Sequence, residues 1–425
     1  MFLFFYLEVS LLNRVILHSD MNNFYASVEC MLNPELRGKA VAVCGSQEER
    51  HGIVLAKNYA AKAFGVTTGE AVWQAKQKCR DLIIVPPQYE QYIKFSKLAR
   101  EIYSRYTDII EPFGMDECWL DVTGSTRLFG NGEMIANKIR ETFKFELGLT
   151  VSVGVSFNKI FAKLGSDMRK PDAVTCITKN DFRDIVWKLP ASDMLGVGKR
   201  TEEKLKRYGI YTIGQLADTD VDFLKSVFKS YGSMLWLYAN GYDNSLVCKD
   251  GYKAPIKSIG HGITTKRDLE KESEVWPVIL ELSQDIGHKL RANCLLATGV
   301  AVCVRDNELI TKMWQTKLPM STQSESYIAK IAYKLFLESY IWKNDIRSIT
   351  VRAIDLIPVD TPLQLDLFND RTKLDKMETI DSVVDTIRQR FGKTAVCNAS
   401  LLMLNSLPVE KSKDIRMPTG INNCR

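Results

Sequence analysis

Apolar and polar positions alternate in period along the chain, and the changes of period mark its elements. Residues 14 to 19 form a short apolar run ending at Asp20, as a buried strand does, and residues 23 to 31 then read as a helix closed by Asn33-Pro34. Residues 39 to 44 and 52 to 55 are two further apolar runs. They are followed by a helical stretch from 58 to 64 with Gly65 as its stop. Helical periodicity returns from 89 to 106 and again, with amphipathic character, from 132 to 147. Strand-like segments cover 118 to 123 and 150 to 155. This alternation predicts an α/β core layer through about residue 178. From 181 to about 242 the elements are short and helical. A Lys- and Gly-bearing tether spans 247 to 257. Beyond it the pattern predicts a strand (256 to 265), a helix (274 to 292), two strands around Asp306-Asn307, a helix (324 to 340) and a strand (347 to 357). That is a separate β-α-β-β-α-β unit. One more helix is expected over 380 to 390, with no role assigned. No internal repeat stands out.

With 425 residues, 45% hydrophobic and 25% charged, the chain has material for two to four domains of ordinary globular composition. Its net charge of +6 suits a polyanionic partner without demanding one. Ten cysteines occur without a CxxC pair, and four histidines are too few and isolated to build a zinc site with them. Cys30, Cys44, Cys79, Cys118 and Cys176 sit mostly in apolar or strand-like contexts, which suits a reduced, cytoplasmic interior better than a disulfide framework. The apolar start, Met1 to Leu7, lacks a basic flank and the ~20 apolar residues of a membrane span. It reads as an extension leading into the first strand.

Candidate chemistry concentrates at two strand ends. Asp20 closes the first apolar run, where a carboxylate is costly unless paired or metal-bound. Asp116 and Glu117 open another strand, and adjacent acids at such a mouth concentrate charge that a cation would relieve. If the two strands are neighbours, three carboxylates converge on a site suited to hard, oxygen-liganded Mg²⁺, and paired ions of that kind serve in-line phosphoryl transfer. For the Asp-Glu pair taken alone, a solvated charged face is the commoner meaning.

The company these acids keep changes that balance. Asp20-Met-Asn-Asn-Phe-Tyr-Ala-Ser-Val-Glu29, Asn58-Tyr-Ala-Ala-Lys-Ala-Phe-Gly65, Met115-Asp-Glu-Cys-Trp-Leu-Asp-Val-Thr123 and Val153-Gly-Val-Ser-Phe-Asn-Lys-Ile-Phe-Ala-Lys163 resemble the ordered motifs of Y-family (translesion) DNA polymerases. Asp167-Met-Arg-Lys-Pro171 extends the last of them, and Lys257-Ser-Ile-Gly-His-Gly262 resembles the opening strand of that family's extra DNA-binding domain. The resemblance runs in order across about residues 14 to 368.

It implies a multidomain α/β (α+β) right hand. The palm would be residues 1 to 27 and 86 to 178, small fingers 28 to 85, and a helical thumb 179 to 246. A linker over 247 to 256, a little finger over 257 to 358 and a tail over 359 to 425 would follow. It implies Asp20, Asp116 and Glu117 as catalytic ligands of two Mg²⁺ ions, with the Met21 carbonyl as a further ligand. Tyr25 falls at the aromatic steric gate, where a ring collides with a ribose 2′-OH. Phe24 beside it belongs to the nucleotide region but reads as core packing. Tyr59, Lys62 and Lys170 take the places of triphosphate contacts, and Ile53 and Gly69 those that roof the nascent base pair.

Three departures weaken the nucleotide grip. Lys62 stands where many members have Arg, Ala56 where a hydroxyl is common, and Asn22 where an acid is frequent.

Leu195-Gly-Val-Gly-Lys-Arg-Thr201 is not a P-loop. Asp193 stands where the first Gly is required, and Arg200 where Ser or Thr is. A glycine turn between helices suits a helix-hairpin-helix instead, with Gly196, Gly198 and Lys199 meeting DNA phosphate. Lys249, Lys253, Lys257, Lys266 and Arg267 add positive charge at the tether and the strand after it. Gln364-Leu-Asp-Leu-Phe368 resembles a sliding-clamp peptide, with Gln364, Leu367 and Phe368 as its anchors.

The expected partners are primer-template DNA, dNTP and a sliding clamp, for a monomer with no membrane contact. Two rivals remain: a catalytically silent, polymerase-like DNA-binding accessory protein, and another palm-type carboxylate enzyme such as a nucleotidyl cyclase.

Overall fold

The computed structural model describes residues 14 to 362, apart from 47, 49, 51, 250, 253 and 254, and residues 371 to 402, apart from 393. The N-terminal extension and the peptide from Gln364 to Phe368 lie outside the described residues. The chain divides into two compact units. One runs to Gly45 and from Ile53 to Lys253; the other takes in Ser46–Gly52 and the described residues after 254.

The first unit holds strands β1 (Ile16–Met21), β2 (Val41–Cys44), β3 (Val54–Lys57), β4 (Ile83–Val85), β5 (Ile110–Pro112), β6 (Glu117–Asp121), β7 (Val151–Ser156) and β8 (Val174–Cys176). Its main sheet has the order β5-β6-β1-β7-β8. Every residue of β1 is buried, His18, Ser19 and Asp20 included, which is why its sequence does not alternate between apolar and polar positions. A second sheet, β3-β2-β4, lies wholly within residues 41 to 85. The expected alternation of strands and helices is present, but the main sheet is mostly antiparallel. Only β7 and β8 run parallel within it.

Helix Lys159–Met168 covers one face of β7 and β1. It is started by Asn158, whose side chain accepts from the Phe161 N–H at 2.8 Å. Its buried face includes Ile160, Phe161, Ala162, Leu164, Gly165 and Ser166. The helix approaches so closely that a Cβ on Gly154 would lie 1.9 Å from the Ala162 carbonyl oxygen. Beneath it a buried ion pair, Lys159 Nζ to Glu111 Oε2 at 2.7 Å, lies with its ammonium 4.5 Å from the Trp119 ring centroid. Glu111 also accepts the Cys248 N–H at 2.9 Å, so one interior carboxylate ties the sheet to the chain that leaves this unit.

After β8 the elements are short and helical, as expected. Helices Phe182–Val186, Lys199–Arg207, Ile213–Asp218, Val221–Phe228 and Ser230–Ala239 share a core built on Leu205, Ile213, Leu216, Leu224 and Leu235. Cys30, Cys44, Cys79, Cys118 and Cys176 form no disulfide, whereas Cys248 is disulfide-bonded.

The second unit contains β9 (Ser258–Leu269), helix Val275–Ala292, β10 (Leu295–Asp306), β11 (Thr311–Thr322), helix Glu325–Ser339 and β12 (Ile346–Pro358). This is the β-α-β-β-α-β order the sequence predicts, closed into an antiparallel sheet β11-β10-β12-β9. The helix expected over 380 to 390 is longer than its pattern predicts: it spans Arg371–Phe391. Its first turn buries Leu374 among polar residues, too little to show a period, and charged groups do much of the docking. Arg371 donates to the Ser321 carbonyl at 2.7 Å, and Thr322 Oγ1 donates to Glu378 at 2.6 Å. Asp385 pairs with Arg291 at 2.6 Å.

Candidate active site

The register of the central strands decides whether the acids meet. β1 and β6 pair antiparallel with Asp20 opposite Glu117 and His18 opposite Trp119, so these side chains share one face. The Met21 N–H donates to the Asp116 carbonyl at 2.9 Å, which places Asp116 at the same strand mouth. Acids distant in sequence therefore converge.

Two lysines from the helix side neutralise them. Lys163 Nζ lies 2.8 Å from Glu117 Oε1, 3.5 Å from Asp20 Oδ2 and 3.3 Å from Asp167 Oδ2. Lys170 Nζ lies 2.8 Å from Asp20 Oδ2 and 2.9 Å from Asp167 Oδ1. Asp116 forms no ion pair among the described residues.

The protonation equilibria carry the same imprint. Burial pushes Asp20 up to about 7 against the pull of Lys170 and Lys163. Burial, with Glu117 alongside, pushes Asp116 up to about 6. Glu117 is held well below the usual carboxylate range, although burial opposes it, because His18 and Lys163 face it. Burial lowers His18 to about 4, so its ring is neutral near pH 7.

Among the described residues no three His, Cys, Asp or Glu side chains are drawn close enough to hold a metal as they stand. The lysine ammoniums, not a common ion, collect the carboxylate oxygens here. The donor set nevertheless fits a hard divalent cation. It offers carboxylate oxygens from three acids, of which Asp116 has no counter-charge bound to it.

Tyr25 stacks on Tyr92, centroids 4.1 Å apart at 8°, and its hydroxyl reaches Met115 Sδ at 3.7 Å. Tyr92 is held in turn by Glu29, which accepts its O–H at 2.5 Å. Phe24 is 3% exposed and packs into the core, so only its backbone can face a nucleotide. Tyr59 lies within the fields of Lys170 and Asp20, and the Lys62 ammonium sits 5.7 Å from the Tyr59 ring centroid. Ile53 is 44% exposed and bridges to Ala71, and Gly69 takes a positive φ of 87°.

Gly196, Gly198 and Lys199 are exposed in the turn that starts helix Lys199–Arg207, with Gly196 at φ 97°. In the second unit Lys257 and Lys266 are exposed, and Arg267 is paired with Glu274.

Two site residues were not singled out from the sequence. Lys163 precedes Asp167 by one helical turn, a spacing that marks a shared face. His18 is the imidazole of a wholly buried strand, two residues from Asp20 and so on its face.

Comparison with known proteins places the chain in a family. The model of the impB/mucB/samB family matches residues 19–167, and that of the family's C-terminal domain matches residues 256–367. The chain belongs to this family, that of the Y-family DNA polymerases. It is 52% identical over 391 residues to the DNA polymerase IV of Acetivibrio thermocellus, covering 92% of this chain and 98% of that one. It is 36% identical over 393 residues to DNA polymerase IV 1 of Bacillus subtilis, covering 92% and 94%. Among solved structures, a Y-family DNA polymerase chimera of Dbh and Dpo4 superposes with a TM-score of 0.72 at 24% identity, covering 81% of this chain and 99% of that one. That last likeness speaks to the fold. No helix among the described residues is long and apolar enough to cross a membrane.

Proposed function

We propose that this chain extends a primer on a DNA template, and that Asp20, Asp116 and Glu117 are the residues that make it a translesion polymerase. The observation that carries the assignment is the β1–β6 register, which sets Asp20 against Glu117 with Asp116 at the same mouth.

The palm is the five-stranded sheet with its helices, residues 1 to 27 and 86 to 178, and the fingers are residues 28 to 85 around the β3-β2-β4 sheet. The thumb is the helical stretch 179 to 246. A linker and the β-α-β-β-α-β unit as little finger follow it. Two Mg²⁺ ions held by the three carboxylates and the Met21 carbonyl would activate the primer 3′-OH and neutralise the leaving pyrophosphate. Lys170, Tyr59 and Lys62 supply a cation, a hydroxyl and a second cation to orient the triphosphate. Exposed Gly196, Gly198, Lys199, Lys257 and Lys266 offer phosphate contacts that carry no sequence information. Arg267 joins them by releasing Glu274. The chain works as a cytoplasmic monomer.

Primer extension with Mg²⁺ and dNTPs tests the assignment. Incorporation by the wild type is expected, and DNA binding without incorporation would favour a silent accessory protein.

Tyr25 is the sugar gate. Its ring is backed by the stacked Tyr92 and cannot retreat from a 2′-OH without unstacking. Tyr25→Ala should lower the preference for dNTP over rNTP by about tenfold or more, read as the ratio of kcat/KM values. An unchanged ratio removes the gate. Gln364, Leu367 and Phe368 are proposed as the sliding-clamp contact. Deleting 364 to 368 should reduce clamp-stimulated synthesis and spare clamp-independent extension.

A further inference from the structure

Behind the Tyr25 ring lies a second aromatic that solvent does not reach. Tyr92 is fully buried on helix Tyr89–Ser104, and its ring lies within 8° of the Tyr25 plane with the centroids 4.1 Å apart. Tyr89, one turn earlier on the same helix, meets Tyr25 edge-on at 6.1 Å and Tyr92 at 5.9 Å. Phe24 packs on Tyr92 from the core, centroids 6.0 Å apart.

Glu29 anchors this stack. It follows Tyr25 by four residues on helix Phe24–Leu32, so the two side chains rise from one face. Only 4% of it is exposed. Its Oε1 accepts the Tyr92 hydroxyl at 2.5 Å, and its Oε2 accepts the Gln88 side-chain amide at 2.7 Å. A carboxylate is expensive to bury, and packing alone between two helices would be served as well by an apolar side chain. What the carboxylate adds is direction: a charge-assisted bond to the far end of the Tyr92 ring. Stacking sets the distance between two rings but lets one slide over the other. A hydroxyl bonded to a buried acceptor removes that freedom. A 2′-OH pressing on Tyr25 must then push Tyr92 as well, and Tyr92 yields only by breaking its bond to Glu29.

We infer that Glu29 is the positioning residue of the sugar gate: it pins Tyr92 by its hydroxyl, and Tyr92 holds Tyr25 at the depth that separates a deoxyribose from a ribose. The inference rests on Tyr25 being the gate. Rejecting a sugar for one extra oxygen requires a wall held to within about 0.5 Å, and such precision comes from the groups behind the wall.

The test is the sugar preference, read as the ratio of kcat/KM for a dNTP to that for the matching rNTP on one primer-template. Tyr92→Phe keeps the stacked ring and removes the anchor. It should lower the ratio by about three- to fivefold, chiefly by raising rNTP incorporation. Glu29→Leu should do the same, and Glu29→Gln, which keeps an acceptor for the hydroxyl, should retain most of the preference. The double variant Glu29→Leu/Tyr92→Phe leaves neither member of the pair buried and unmatched, which protects folding. Its ratio should fall no further than in the single variants, since all of them break one bond. A merely structural role would lower dNTP and rNTP incorporation together and leave the ratio where it was. An unchanged ratio in Tyr92→Phe, or in the double variant if the single one does not fold, overturns the inference. Tyr25→Ala run beside them separates the premises. An unchanged ratio there removes the gate and the inference with it, whereas a lowered ratio in Tyr25→Ala with normal Tyr92 and Glu29 variants removes only the positioning role.

Discussion

Asp116→Ala is expected to lower the rate of primer extension by about 10³-fold or more while leaving DNA affinity nearly unchanged. The two effects separate because they arise from different charges. Affinity for a duplex comes mostly from cations meeting phosphate, and no cation is removed. On the proposed assignment, chemistry depends on oxygens that hold divalent ions against the triphosphate, and among the described residues Asp116 is the one acid of the three without a lysine ion pair. Glu117→Ala should be equally inactive, with an added consequence for its neighbours. Lys163 would lose its 2.8 Å partner and shift wholly onto Asp20 and Asp167. Extension kinetics and fluorescence-anisotropy binding on one primer-template measure both quantities. Activity retained in both variants refutes the metal assignment.

The second large effect is on folding. Gly154→Ala is expected to destabilise the first unit by about 3 kcal/mol or more and to lower its melting temperature. The new methyl would meet the Ala162 carbonyl oxygen at 1.9 Å and the Ser166 nitrogen at 2.6 Å. Both are backbone atoms of a helix, which no rotamer change can move aside. Relief requires lifting helix Lys159–Met168 from β7, and with it Lys163 and Ser166. Gly124→Ala is a fitting control, because nothing lies within 4 Å of a Cβ there. A differential scanning melt of Gly154→Ala superimposed on the wild type would refute the close approach.

Much of this was legible in the sequence because long, strongly patterned segments announce themselves. β1 shows as an apolar run, and the last unit shows as strand, helix, two strands, helix, strand. Asp20, Asp116 and Glu117 stood out because acids at strand mouths break that pattern. What escaped notice is short, or polar for tertiary reasons. β5 and β8 have three residues each and are strands only because neighbours pair with them. Helix Val72–Lys78 has too few turns for a period to show. Helix Arg371–Phe391 seemed to start late because its leading turns show little apolar pattern beyond the buried Leu374 and dock largely through Arg371 and Glu378. The mostly antiparallel sheet could not be read from the order of elements alone, since alternating strands and helices serve both arrangements. The role of Lys163 was equally hidden. A lysine on a helix usually faces water, and only the sheet beneath shows that this one does not.

Lys163 and Lys170 leave the protein electrically settled before any substrate arrives. If the three acids hold divalent ions as proposed, entry of those ions must evict both ammonium groups from the acids, and each eviction alone would strand a positive charge in a half-buried cleft. A triphosphate brings the negative charge that can receive them. On that assignment cation and nucleotide would bind as a mutually dependent pair, the cation replacing the ammonium groups on the acids and the triphosphate receiving them.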